Sequence, residues 1–582
     1  MLRSTRKPET IPKAKTASAT MSNLEHGANV AVIGAGVGGM LSAVRLLQAR
    51  PDLQVTVLES TNRVGGRLLS VHGPLGEATD RDDGTLFELG GMRYFPSVDT
   101  KVAALVEELG LDGVLETYIA DTNMAYVKGV RTTIGNAPRF IGPRYLLYPD
   151  EKGKSPQEIV NKGILRCLPP RVARESAHPD HMFPAIYASG FLSAADYWQM
   201  LAVRGGVSPG AHAFYTAMGG YNMTSPSPSS AHAATGQVSC RAHADALARQ
   251  GPDMSLSAAC GIREEFSLAG DKADDQHFVV GGYASLAQAL ADKFVELGGR
   301  LVFNTKARSV ERRSDGTWKV GYESASGTVG KALHADSVIL ALPPPALASL
   351  SLYPTLPPES QRVLFRASEP WQATKIFVKF GSAWWTNRGR DRNLFGGALN
   401  LSGRTVTDTM ARQVYYYSED ENTLLIYCDQ ADAAAWRCVM PADDVYVETD
   451  NGDGTTKIEW VDASDPAVAE LKAKLVEVLG VAYGVQVPEP QAFLAKHWAY
   501  GTQFWRPDTD LRANQQTALM PYGPLESLRV VGDSYSSAQG WVEGACSTVD
   551  ACMTSLGIPL PLATATTTTA TRAKAKVASL YA

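Results

Sequence analysis

Gly34, Gly36 and Gly39 form a Gly-x-Gly-x-x-Gly run directly after the apolar segment Val30–Ile33, and a helix-periodic segment, Met40–Leu47, follows. Gly34 permits a tight turn, Gly36 lets the backbone approach a pyrophosphate, and Gly39 lets helix and strand pack closely. The helix N-terminus offers free N–H groups and a positive dipole end to phosphates. Glu59 ends a second apolar strand, Gln54–Leu58, and can accept hydrogen bonds from a ribose diol. A glycine run alone reads equally as a turn. Placed between strand and helix, with an acid at this spacing, it predicts a dinucleotide site.

Three further segments carry chemistry. Arg63-Val64-Gly65-Gly66-Arg67 places two glycines between arginines just after Glu59, which suits a second close approach to phosphate. Phe87-Glu88-Leu89-Gly90-Gly91-Met92-Arg93-Tyr94 brings a glycine pair, able to lie against a flat ring, next to a guanidinium in apolar surroundings. Arg93 is costly there without an anion, and its planar fork suits a carboxylate; a structural salt bridge is the alternative. Near the C-terminus, strand Leu528–Val531 runs into Gly532-Asp533, and Gly540-Trp541-Val542-Glu543-Gly544-Ala545 opens a helix. Asp533 can bond a hydroxyl chain, and the helix N-terminus can stabilise negative charge on a reduced ring. Trp541 serves as a flat wall or as core.

These residues need a scaffold that brings distant segments together. The chain has 582 residues, which allows about four units of core at roughly 150 residues each. Its 55 basic and 60 acidic residues leave a formal charge of −5, so neither nucleic acid nor an anionic membrane is an expected partner. No apolar run approaches the length of a membrane span. Seven cysteines lie scattered without a CxxC or Cys/His cluster, so neither a disulfide framework nor a metal site is expected. Residues 1–28 read as a basic disordered tail, with a transit-type segment as the alternative, and residues 558–582 as a second tail. Without a signal-peptide core, the expected location is intracellular and cytoplasmic. The pattern predicts an α/β fold: a discontinuous dinucleotide domain from 29–70, 275–345 and 525–557, an antiparallel-sheet substrate domain from 75–140 and 346–500, and a helical domain over 145–270.

The four anchors, in this order, resemble the flavin-dependent amine oxidase superfamily, and its L-amino acid oxidase branch in particular. The resemblance runs from about residue 29 to 557. It implies a Rossmann-like fold and an FAD held by Gly34, Gly36, Val37, Gly38, Gly39, Glu59, Ser60, Gly66, Arg67, Gly90, Gly91, Met92, Arg93, Ala307, Asp533, Gly540, Trp541 and Val542. Covalently flavinylated members carry a cysteine shortly before the C-terminal motif; Trp498–Trp505 contains none, so the FAD is expected to be non-covalent. Arg93 would grip the substrate carboxylate, with the amine near Gly540 and Trp541. Ala373-Thr374-Lys375-Ile376-Phe377 resembles the strand whose lysine holds a water at flavin N5, a catalytic role, against a solvated strand lysine as the alternative. Arg412–Tyr416 resembles the strand that supplies a tyrosine to the carboxylate. Tyr416 is the expected residue, while a shift of one position would select Tyr415 or Tyr417. His212 and His232 are expected to pack or face solvent.

The implied reaction is oxidation of an L-amino acid, large and apolar or of broad range, by hydride transfer from Cα to flavin N5. Oxygen would reoxidise the flavin, giving peroxide, ammonia and a 2-oxo acid. The neutral amine is the competent donor, so rates would rise with pH. Relatives commonly form dimers, so a homo-dimer or higher homo-oligomer is expected. A decarboxylating monooxygenase shares every anchor, a mono- or polyamine oxidase would not need Arg93, and a non-catalytic FAD scaffold would share the binding motifs. A nicotinamide dehydrogenase explains the first motif alone.

Overall fold

The computed structural model describes residues 24–72, 86–115, 122–170, 172, 185–219, 256–268, 276–324, 329–386, 403–418, 422–450, 456–508 and 510–560. Its organising element is a five-stranded parallel sheet. Leu528–Val530, Ser337–Leu340, Asn29–Ile33, Gln54–Leu58 and Arg300–Val302 lie side by side in that order. The inner parallel strands are covered on both faces, which suits the apolar runs Val30–Ile33 and Val338–Leu340. Val30, Val32, Val55 and Val57 pack under the helices Val37–Ala49, Ser285–Glu296 and Val542–Ser555. Ala31, Ile33, Val338 and Leu340 point the other way, toward Val310, Trp318 and Val320. Those three belong to a four-stranded sheet made of Val329–Ala335, Trp318–Ser324, Thr305–Arg312 and Ser351–Tyr353. The last strand lies in the range expected for the substrate domain, yet it pairs with Thr305–Arg312.

A second, larger sheet carries the long strands Ser368–Phe380 and Pro490–Trp505 toward one end, flanked there by Asp444–Val445. It continues through Thr423–Asp429, Gln413–Ser418 and Arg404–Thr407 to Met124–Val127 and Val130–Thr133. Pairing is antiparallel except between Arg404–Thr407 and Met124–Val127. The α/β architecture with an antiparallel-sheet region is the expected fold class. Between 145 and 270, the described elements are helices, among them Pro156–Cys167, Pro209–Gly219 and Ala258–Leu268. His232 lies outside the described residues; His212 is stacked on Trp198, with ring centroids 3.8 Å apart.

The folded core extends into both expected tails. Leu24 and Ala28 are buried in the core, and Arg50 donates to the carbonyls of Leu24 and Glu25. Ile558 is buried beyond the last helix. Among the described residues, no helix is long and apolar enough to cross a membrane.

Candidate active site

The glycines of the first loop have distinct tasks. Gly34 has φ of +103°, and a Cβ there would lie 2.7 Å from Ala341 O. A Cβ on Gly39 would lie 1.9 Å from Gly34 O, so this contact admits only hydrogen. At Gly36, by contrast, the nearest atom to a Cβ would be Gly65 O at 3.9 Å, which leaves room for another group. Gly36 and Gly65 form a parallel bridge, and Gly65 N–H donates to Ala35 O at 3.0 Å, so the two glycine loops lie together. Helix Val37–Ala49 starts at Gly36 with no side chain capping its first N–H groups; Val37 and Gly38 are buried in that turn. Glu59 reaches back to the same loop: Oε2 accepts Ala35 N–H at 2.8 Å, and Oε1 accepts the Ser60 hydroxyl at 3.2 Å. Ala307 sits half-buried on the strand whose first residue, Thr305, donates its N–H to Glu59 O.

Arg67 ties the loops to the C-terminal motif. It forms an ion pair with Asp533, whose Oδ2 also accepts Gly540 N–H at 3.2 Å. Gly91 N–H donates to Arg67 O, and a Cβ on Gly90 would lie 2.1 Å from that oxygen. Gly66, beside it, has φ of +59°. Ser534 Oγ is buried and has no hydrogen-bond partner among the described residues. Helix Val542–Ser555 begins at Trp541, again without a side-chain cap.

The larger sheet brings Lys375 to this point. Its Nζ donates to Glu88 O at 2.8 Å, to Gly90 O at 2.5 Å and to Met92 Sδ at 3.3 Å. Burial lowers the pKa of this ammonium, and the positive Arg93 nearby pushes the same way, against Glu88. Burial likewise raises the Glu88 carboxyl, although Tyr283 N–H and Ser70 Oγ donate to it. Arg93 is buried, with Nη1 donating to Gln276 Oε1 at 2.9 Å and its guanidinium 5.8 Å from the Phe95 ring centre. Phe95 in turn meets Trp541, with centroids 5.5 Å apart.

Tyr416 requires a correction. Lys375 pairs with Tyr427 and Phe377 with Leu425, and Leu425 pairs with Tyr415; directly opposed residues share a face. Tyr415 therefore lies on the Lys375 face, clustered with Phe87, Leu89 and Met92 and packed by Tyr417 and Tyr427. Tyr416 points to the opposite face, where its hydroxyl bonds Thr405 Oγ1 at 2.5 Å and Tyr483 at 3.3 Å. The error is one residue, which in a strand reverses the side chain.

Sequence reading also missed the contribution of helix Ala258–Leu268. The indole N–H of Trp541 donates to both oxygens of Glu264, at 3.1 Å each. Burial pushes the Glu264 carboxyl up to about 7, opposed by Arg263 and by this hydrogen bond. Arg263 is buried beside Asp99, 3.4 Å away. The run Arg263-Glu264-Glu265 was the available signal, since three consecutive charges cannot all face solvent on a packed helix.

Comparison with known proteins bears on this arrangement. The model of the flavin containing amine oxidoreductases matches residues 37–548. The chain belongs to this family. An uncharacterised protein of Acanthamoeba polyphaga mimivirus is 27% identical over 539 residues, covering 90% of this chain and 92% of that one. The L-amino-acid oxidase of Mus musculus is 26% identical over 407 residues; the match covers 68% of this chain and 53% of the mouse protein. Among solved structures, a double mutant of putrescine oxidase superposes with a TM-score of 0.57 at 17% identity, covering 91% of this chain and 99% of that one.

As a flavin amine oxidoreductase, the chain needs a place for its cofactor, and its own residues fit one. Two helix N-termini lack side-chain caps, Gly36 leaves room beside the bridged loops, and Ser534 Oγ awaits a partner. Uncapped helix N–H groups and an unfilled glycine loop suit a pyrophosphate.

Proposed function

We propose that this chain is an L-amino acid oxidase with non-covalently bound FAD. The observation that carries the reading is Arg93, a buried guanidinium fixed directly after the Gly90-Gly91-Met92 turn on which Lys375 closes. A buried arginine in this position suits a ligand carboxylate, to which it can present two parallel N–H donors. The likeness to L-amino-acid oxidases in sequence supports the same substrate class.

The residues proposed to hold the FAD are those of the glycine loop, Gly34 to Gly39, with Glu59 and Ser60 at the ribose and Gly66 and Arg67 at the phosphates. Gly90, Gly91, Met92, Arg93, Ala307, Asp533, Gly540, Trp541 and Val542 complete the set. When bound, the flavin supplies the acceptor for the two electrons of the Cα–H bond and passes them to oxygen. The protein supplies position and field. Arg93 holds the α-carboxylate and so fixes which enantiomer turns its Cα–H toward the ring. Lys375 keeps a donor in a dry setting, where burial leaves its proton loosely held. Trp541, locked by Glu264, and Phe95 wall off water on one side. The balanced reaction converts an L-amino acid, oxygen and water into a 2-oxo acid, ammonia and hydrogen peroxide.

Anaerobic titration of the purified flavoprotein tests this. Bleaching by L-amino acids, with D-enantiomers and simple amines inert, is the expected result, and Arg93→Ala should lower amino acid turnover at least 100-fold. Bleaching by amines that survives Arg93→Ala would move the chain to the amine-oxidase reading. An amide among the products would make it a monooxygenase.

A further inference from the structure

The geometry points to Gln276 as a second recognition residue for the substrate carboxylate, acting beside Arg93. The inference rests on the L-amino acid reading above. Gln276 comes from the segment leading into strand His277–Val279, far in sequence from Arg93. Backbone hydrogen bonds fix the two together: Tyr94 N–H donates to His277 O at 3.1 Å, and His277 N–H donates to Tyr94 O at 2.9 Å. Arg93 and Gln276, each adjacent to that bridge, meet through Nη1 and Oε1 at 2.9 Å.

This contact decides the orientation of the amide. A guanidinium only donates, so Gln276 must turn its oxygen toward Arg93, and its NH2 group is directed elsewhere. The residue is 3% exposed, so water does not reach it readily, and Nε2 has no hydrogen-bond partner among the described residues. Buried donors are nearly always paired. Here the missing acceptor belongs next to the guanidinium, one carbon from the atom that Arg93 already touches. A carboxylate meets that need: it only accepts, and with about four lone-pair sites it can take the arginine fork and one further N–H. Gln276 thus both orients Arg93 and donates to the ligand. It favours substrates bearing a carboxylate over their decarboxylated amines, because an amine would leave Nε2 unpaired.

The test uses the holoenzyme and the variants Gln276→Met and Gln276→Glu, with benzoate as a binding probe read by flavin absorbance. The L-amino acid that reduces the wild type fastest, and its decarboxylated amine, serve as reductants. For Gln276→Met we expect the Kd of benzoate and of the amino acid to rise at least tenfold, with the limiting reduction rate within about threefold of wild type and any response to the amine unchanged. Gln276→Glu sets a second carboxylate against Arg93 and should weaken benzoate at least 100-fold, with flavin content retained. Unchanged benzoate and amino acid binding in Gln276→Met overturns the assignment of Gln276 alone. A wild type that binds benzoate through Gln276 but is reduced by no amino acid overturns the oxidase reading and keeps the carboxylate site. A wild type that binds no carboxylate overturns both.

Discussion

Arg67 and Asp533 are 466 residues apart in the chain and form an ion pair. Through it the loop after the second strand is fastened to the loop after the last one, and Gly540 N–H shares the same carboxylate. Asp533 is the more buried partner, so removing Arg67 leaves its carboxylate with the Gly540 N–H, while Arg67 also donates to Gly501 O. Asp533→Asn and Arg67→Ala should each destabilise the flavin-depleted protein by about 1–2 kcal/mol. Because they act on one contact, the double variant should lose less than the sum. Urea unfolding of the four proteins measures this; full additivity would show that the pair contributes nothing to stability.

Two glycines of one motif should respond oppositely to the same substitution. Gly39→Ala drives a methyl to 1.9 Å from Gly34 O, a backbone atom that cannot step aside, so soluble folded protein is not expected. Gly36→Ala meets nothing closer than 3.9 Å, and its φ of −71° suits alanine. That variant should fold with a Tm near wild type and yet lose affinity for flavin at least tenfold, since the methyl occupies the room left beside the loop. Equal thermal stability with equal flavin retention would remove Gly36 from the cofactor site.

The contrast shows what the sequence could reveal. Strand–turn–helix order and glycine spacing are local, and they led directly to the parallel sheet and its loops. Lys375 and Arg93 stand out in the sequence because motifs resembling those of the family surround them. Tyr416 was misassigned because a run of three tyrosines carries no mark of which one faces inward; only pairing with Thr423–Asp429 decides it. Glu264 and Gln276 belong to segments without a motif, and they reach Trp541 and Arg93 across 277 and 183 residues. Contacts of that range depend on how domains pack, which periodicity does not encode. Likewise Leu24 and Ala28, in a basic and low-complexity stretch, are held by Arg50 and the core behind it.

Lys375→Met should separate the structural from the chemical task of this lysine. The variant leaves Glu88 O and Gly90 O without their donor in a buried setting, at about 1–3 kcal/mol for each carbonyl left unpaired. Thermal unfolding should record that loss. If the ammonium also serves the reaction with oxygen, oxygen consumption should fall at least tenfold, while anaerobic bleaching by substrate changes much less. A parallel fall in both rates would limit Lys375 to holding the Gly90-Gly91 turn.

Glu264 should give the protein a pH dependence that can be assigned. The groups acting on it are the indole N–H of Trp541, Arg263, Asp99 and Glu265, and burial outweighs them all. Folded, the carboxyl keeps its proton up to about pH 7; unfolded, it releases it near its ordinary value of 4.5. Between these values the folded state binds more protons, so the contribution of Glu264 to stability is complete below about pH 4.5 and declines as pH rises toward 7. Glu264→Gln keeps an acceptor for the indole and removes the titration. The stability of the variant relative to wild type should therefore improve with pH across that window, by on the order of 3 kcal/mol. Urea unfolding at half-unit steps of pH gives the two curves; if they run parallel from pH 4.5 to 7, Glu264 is ionised throughout and the burial argument fails.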